Sequence, residues 1–267
     1  MRPSTRERRD RILSELYERQ HITAVGLAGL LSVSQATIRR DLHALAEAGQ
    51  IDLLYGGATL PRNSDFSFRA KAMRNVDAKR AIGRLAAGLV DDGDQIFLDS
   101  GTTCFEMTPY LKRKRGVSVI TNSARLALEL ESPSLSVIML GGRYRPDRMD
   151  TVGPLAMDSL GQLRGYVAFI GADGVSMDFG LTAGDDESAY LHRLAVGNAS
   201  KAVLLVDHSK FVTQSLCRIV DWEAICRVVT DRPPGPDWTE FLRGHDVEVM
   251  CPSASDGGGE GGTAKPW

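Results

Sequence analysis

The feature that most constrains this chain is the run at 34–42: Ser34, Gln35, Ala36, Thr37, Ile38, Arg39, Arg40, Asp41 and Leu42. A serine directly ahead of an apolar-periodic segment can cap a helix by accepting a hydrogen bond from one of its unpaired N–H groups. Ile38, Leu42 and Leu45 then recur at helical spacing on one side, which must face a core. The opposite side carries Gln35, Thr37, Arg39, Arg40 and His43, groups of the kind that meet base edges or phosphate oxygens. A helix this short needs partners. Ile12, Leu13, Leu16 and Tyr17 mark one upstream, and Thr23 caps a second through Val25, Leu27, Ala28, Leu30 and Leu31, with Ser32 and Val33 as the turn. Two helices, a short turn and a polar-faced helix make a helix-turn-helix pattern, whose last helix enters a major groove by its N-terminal end. Gly49 suits the left-handed stop after that helix, and 51–60, with Gly56 and Gly57 at the turn, reads as a small wing. Periodicity alone also fits a plain three-helix bundle with a solvated arginine pair.

Length and charge narrow the rest. At 267 residues, 43% of them apolar, the chain can build one small and one medium domain. A net charge of −2 supplies no overall basic field, so attraction to nucleic acid has to be local. Arg2, Arg6, Arg8, Arg9 and Arg11, against Glu7 and Asp10, can supply it from the N-terminal arm. Cys104, Cys217, Cys226 and Cys251 show no paired spacing that fits a zinc site, so no metal and no cofactor are expected. No apolar run approaches a membrane span and the arginine-rich start lacks a signal-like apolar segment, which together point to the cytoplasm.

Beyond the wing, 61–76 reads as a linker between a DNA-facing domain at 1–60 and an α/β domain at 77–252, and the Gly-rich stretch 253–267 as a disordered tail. A helix over 78–90 precedes apolar bursts of strand length at 95–98, 117–121, 136–140, 167–170, 202–206 and 225–230, with a last one at 246–250. Most are separated by helix-length segments, which implies a doubly wound, largely parallel sheet. Ligands of such sheets sit beyond the carboxyl ends of the strands. The loops there are Asp99, Ser100, Gly101, Thr102 and Thr103; Thr121 and Asn122; Gly141 and Gly142; Gly171 through Asp173 to Gly174; and Asp207 through Lys210. Glycines let a ligand approach the backbone and the hydroxyls add hydrogen-bonding groups, although any strand-to-helix turn uses the same residues.

The run at 34–42, followed by Gly49 and then Gly56, Gly57 and Ala58, resembles the signature of the DeoR family of bacterial transcription regulators. Lys79, residues 99–103, Thr121, Asn122, Gly141, Gly142, residues 152–154, 169–174, 180–182, 207–210, Thr230 and Asp231 resemble that family's sensor domain. The resemblance implies a winged helix-turn-helix followed by a domain similar to ribose-5-phosphate isomerase. It further implies that Ser34, Gln35, Thr37, Arg39 and Arg40 face an operator in double-stranded DNA, while Asp41 holds the fold. The effector would be a phosphorylated sugar or sugar derivative, bound by Asp99, Ser100, Gly101, Thr102, Thr103, Thr121, Asn122, Gly171, Asp173, Asp207 and Lys210 in a homodimer or homotetramer. The function so implied is a repressor of a carbohydrate-use operon, not an enzyme.

Three positions depart from the family pattern. Asp52, Leu53 and Leu54 stand where a basic residue usually precedes the wing, weakening any phosphate contact there. Pro109 should end the helix that follows the 99–103 loop. His192 with Arg193 replaces a Lys-Arg pair, and an imidazole that is mostly neutral at pH 7 attracts phosphate less than an ammonium does; a surface position for His192 is the simpler expectation. Two rivals remain on residue inventory: an isomerase-like enzyme using Asp99, Asp173, Asp207 and Lys210, and a sensor fold kept only for oligomerisation.

Overall fold

The computed structural model describes residues 4–19, 21–48, 50–59 and 68–252. The expected tail, Gly49, the end of the wing at Leu60 and the first residues of the linker lie outside them. The chain divides into two compact units, 1–74 and 75–267.

In the first unit, α1 (Thr5–Arg19), β1 (His21–Thr23), α2 (Ala24–Leu30), α3 (Gln35–Glu47), β2 (Asp52–Leu54), β3 (Gly57–Thr59) and α4 (Phe68–Ala72) follow in order. Both anticipated caps form: Thr23 Oγ1 accepts the Gly26 N–H at 3.1 Å and Ser34 Oγ accepts that of Thr37 at 3.2 Å. Ile12, Leu13, Leu16, Leu27, Ile38, Leu42, Leu45, Ile51 and Ala58 make the core. Residues 68–72, read as linker, are helical instead, and Met73 packs on that core.

The wing is larger than its hairpin, because β1 joins it in the order β1-β3-β2, all antiparallel. Gly57 permits this, since a Cβ there would lie 2.2 Å from the Ile22 carbonyl oxygen. Gly56 turns the chain at φ +78° and its carbonyl accepts the Ala24 N–H at 2.8 Å, which ties the wing to the start of α2.

The second unit opens with α5 (Val76–Ala87), β4 (Gln95–Leu98), α6 (Thr102–Phe105), α7 (Thr108–Leu111), β5 (Val117–Thr121), α8 (Ala124–Glu129), β6 (Leu135–Met139), β7 (Arg143–Arg145) and β8 (Asp150–Val152). It continues with α9 (Pro154–Gly161), β9 (Val167–Ile170), β10 (Gly174–Ser176), β11 (Gly180–Ala183), α10 (Asp186–Asn198), β12 (Lys201–Leu205), β13 (Cys217–Arg218), β14 (Arg227–Val229), α11 (Pro236–Gly244) and β15 (Glu248–Met250). Seven strands form one parallel sheet in the order β15-β14-β12-β9-β4-β5-β6. Side chains alternate between its faces. Ile96, Leu98, Phe169, Val203 and Leu205 pack with α5, α6, α7 and α8, whereas Phe97, Ala168, Ile170, Ala202 and Leu204 pack with α9, α10 and α11.

The bursts at 95–98, 117–121 and 167–170 match strands to the residue; the others are displaced or shorter. The sequence reading missed β7 paired with β8, and β10, β11 and β13, which form two small antiparallel sheets. As expected of Pro109, α6 stops at Phe105, and the proline occupies the first turn of α7. The chain winds outward from β4 through β5 to β6, then returns to lay β9 on β4's other side. The switch point is therefore the crevice between β4 and β9, where sheets of this kind hold ligands.

Candidate functional site

The first unit offers one polar surface built on a short helix. Gln35, Ala36, Arg39, Arg40 and His43 are exposed along α3 and Thr37 is half-buried, while Ile38, Asp41, Leu42 and Leu45 turn inward. Ser34 is spent partly on its cap and sits 2.9 Å from the Thr37 hydroxyl, so both hydroxyls are fixed at the helix start.

Asp41 decides which cations remain outward. It is buried, and its carboxylate accepts from Arg8 Nε at 2.5 Å, Arg8 Nη2 at 3.3 Å and Arg9 Nε at 3.1 Å. That corrects the expectation of a DNA-attracting arm at these two positions, since Arg8 and Arg9 bind α1 to α3. Arg2 lies outside the described residues and the Arg6 side chain is not described; Arg11 is exposed. The wing tip carries no cation between Asp52 and Thr59, and Leu54 and Tyr55 are exposed there. Arg39 and Arg40 are thus the exposed guanidinium pair on the helix predicted to read DNA.

In the second unit the parallel sheet brings the anticipated loops to one edge. At the switch point, Asp99 Oδ2 accepts the Gly171 N–H at 3.0 Å, so the loops after β4 and β9 are stitched together. Asp173 Oδ2 takes the Gly184 N–H at 2.8 Å. A Cβ on Gly101 would meet Asp99 Oδ2 at 2.8 Å, so the close approach at that glycine is made by the protein's own carboxylate. Thr102 and Thr103 start α6 and are largely buried.

Other anticipated residues make hydrogen bonds within the fold. Ser100 donates to Asp150 Oδ2 at 3.2 Å, so its proton is committed. Thr121 Oγ1 accepts the Ser123 N–H at 3.1 Å. Asn122 Nδ2 donates to the Thr151 carbonyl at 2.9 Å, and its buried Oδ1 has no partner among the described residues. Asp207 Oδ1 accepts from the Ser209 N–H at 3.0 Å and from Asn75 Nδ2 at 2.8 Å. Burial would raise the Asp207 carboxyl, but the Ser209 hydroxyl and the charges of Lys210 and Lys79 hold it below its ordinary range. Lys210 thus faces an anion the protein already contains.

Sequence reasoning missed an ionic network behind these loops. Arg145 grips Asp150 with Nε at 2.8 Å and Nη2 at 2.7 Å, and its Nη1 reaches Asp185 at 2.9 Å. Arg148 Nη1 meets the other Asp185 oxygen at 2.7 Å, and Asp185 caps α10 through the Ser188 N–H at 2.9 Å. Burial would raise Asp185, but that N–H and the two guanidiniums hold it well below the usual carboxylate range. The pairs span up to 40 residues of sequence, so only the cluster of Arg143, Arg145 and Arg148 near acidic neighbours could have signalled them.

His192 is the main correction. It is 8% exposed, not on the surface, and its Nε2 lies 2.7 Å from Asp99 Oδ1. Burial lowers the ring's pKa, but the Asp99 carboxylate, helped by that hydrogen bond and by Asp173 and Asp185, raises it above the ordinary value. The charged form is therefore more favoured here than in a free imidazole. Helical spacing held the signal: Ser188, His192 and Ala195 share the buried face of α10.

Among the described residues there is no cluster of three or more metal-ligating side chains, and no helix is long and apolar enough to cross a membrane. Residues 8–64 match the DeoR-like helix-turn-helix domain and residues 74–232 the DeoR C terminal sensor domain. The HTH-type transcriptional repressor GlcR of Bacillus subtilis is 32% identical over 94% of this chain and 98% of its own length. HTH-type transcriptional regulator GolR of Listeria innocua is 33% identical, covering 84% and 90%, and GlpR of Haloferax volcanii 31%, covering 91% and 96%. All three relatives are named as transcriptional regulators or repressors. Ribose 5-phosphate isomerase A of Methanocaldococcus jannaschii aligns over 52% of this chain and 55% of its own at 24% identity and a TM-score of 0.38.

Proposed function

Because the chain belongs to the DeoR family of transcription regulators, we propose that it represses a carbohydrate-use operon in the cytoplasm and lets go of its operator when a phosphorylated sugar or sugar derivative binds the second unit. The observation that carries the DNA half is α3, a capped helix with a buried apolar face and an outward Arg39 and Arg40. A homodimer or homotetramer would place such helices in successive major grooves, with Ser34, Gln35, Thr37, Arg39 and Arg40 at bases and phosphates. The effector half rests on loops gathered at the β4 and β9 switch point, with Asp99 bonded to Gly171 there, Asp173 in the same loop as Gly171 and Lys210 in the neighbouring loop. The effector can act only by binding the DNA-competent and DNA-released arrangements with different affinity.

The test uses a duplex selected by the wild-type protein from a randomised pool. Arg40→Ala should abolish measurable binding in a gel shift at fixed salt while leaving the melting transitions in place; an unchanged shift would refute the assignment of α3. With the same duplex, Lys210→Ala and Thr102→Ala should bind normally yet release poorly when sugar phosphates are added. Full release by both would remove the case for this edge of the sheet.

A further inference from the structure

His192 stands out as a buried polar group whose second hydrogen-bonding atom has no partner among the described residues. Its Nε2 is occupied by Asp99 at 2.7 Å, while Nδ1 is buried and has no bond among the described residues. An orphaned polar atom in the interior costs free energy unless water or a ligand supplies the missing bond. The ring is held by the Asp99 loop, which is bonded to Gly171 across the switch point, so His192 stands at the edge of the sheet where such folds place ligands.

We propose that His192 is a specificity-determining residue, its Nδ1 donating to an uncharged oxygen, hydroxyl or carbonyl, on the carbon chain of the effector. The inference rests on the sugar-phosphate reading of this unit. Three observations support it. Asp99 holds the ring by Nε2 and fixes its orientation, as a carboxylate partner does for a working imidazole. Asp99 after β4, Asp173 after β9 and Asp185 at the start of α10 surround the ring with negative charge, which favours the protonated form and so a donor at Nδ1. Arg145 and Arg148 on the β7–β8 hairpin already spend their cations on Asp150 and Asp185. A phosphate dianion brought against Asp99 and Asp173 would be repelled, whereas a sugar oxygen accepts the bond without that penalty. The phosphate belongs elsewhere on the loop edge, and His192 reads what is attached to it.

Two substitutions divide the two ends of the ring. His192→Gln places an amide near Nε2 and can keep the bond to Asp99, but presents nothing at Nδ1. His192→Asn places an amide near Nδ1 and cannot reach Asp99. Full-length wild type and both variants are titrated calorimetrically with inorganic phosphate, glycerol 3-phosphate and a set of hexose and pentose phosphates differing at single hydroxyls.

For the sugar phosphate that wild type binds best, His192→Gln should weaken binding by about tenfold or more, as expected when a built hydrogen bond is lost, with His192→Asn within about threefold. Inorganic phosphate should bind all three proteins alike. The proposal is overturned if His192→Gln binds as wild type does while His192→Asn fails, which makes the ring a strut for Asp99. It is equally overturned if inorganic phosphate suffers the same loss as the sugar phosphate. If no member of the set binds wild type, the sugar-phosphate reading falls and takes this inference with it.

Discussion

Replacing Asp41 by asparagine tests whether the first unit owes its integrity to an internal ion cluster. The carboxylate holds three N–H groups from Arg8 and Arg9, and Asp41 and Arg8 side chains are only 3% and 12% exposed. Asparagine keeps the shape but offers one acceptor, and turns an amide donor toward guanidinium. Charge-assisted bonds are worth about 1.5–3 kcal/mol each, and removing one partner of a buried pair costs about 3–5 kcal/mol. Arg9 is 36% exposed and water screens its share, so about 2–3 kcal/mol is the expected loss. For a unit of this size each kcal/mol moves the melting temperature by roughly 4–8 °C, which gives a drop of roughly 10–20 °C. Scanning calorimetry of the full chain should show a low transition displaced by that amount and the sensor transition unmoved. A displacement under about 3 °C, or an equal displacement of both transitions, would refute the assignment of Asp41 to holding α1 on α3.

Gly83→Ala should destabilise the sensor unit by about 1–3 kcal/mol, because the added Cβ would sit 2.5 Å from the Glu106 backbone where α5 crosses the chain; thermal melting without a downward shift counts against that contact. Acid should also weaken this unit. Asp185 and Asp207 are held below 3.8, so the stability they contribute is complete above that value and is lost as pH falls through their folded pKa values. His192 is raised above 6.5, so its contribution is complete below 6.5 and disappears as pH rises through its folded pKa. The sensor melting temperature should therefore be highest between those limits, and His192→Gln should remove the alkaline-side decline attributable to this ring; an unaltered profile would contradict the pairing with Asp99.

What could be read beforehand follows from how local the signal is. Thr23 and Ser34 were legible as caps because a hydroxyl three residues ahead of an N–H needs nothing distant. The strands at 95–98, 117–121 and 167–170 were legible because burial on both faces leaves an unbroken apolar run. β1 and the β7, β8, β10, β11 and β13 strands were not, being only two to four residues long, and β1 and β13 pair with strands far along the chain. Asp41 was assigned a fold role from resemblance, but nothing local named Arg8 and Arg9 as its partners. At the sheet edge, residue type identified Asp99 and Asp173 but not the direction of each hydrogen bond. Ser100 looked like a free donor until Asp150 was found to receive it.

Asn75, the first residue of the sensor unit, adopts a left-handed conformation at φ 49° and hands its side-chain amide to Asp207. The turn that carries Lys210 is thereby fastened to the point where the chain arrives from its other half. A shift of that turn must either carry Asn75 with it or break the bonds from the Asn75 amide to Asp207 and Ser209. The turn after β12 and the first residue of the sensor unit therefore share one carboxamide, so an Asn75→Ala change frees both at once.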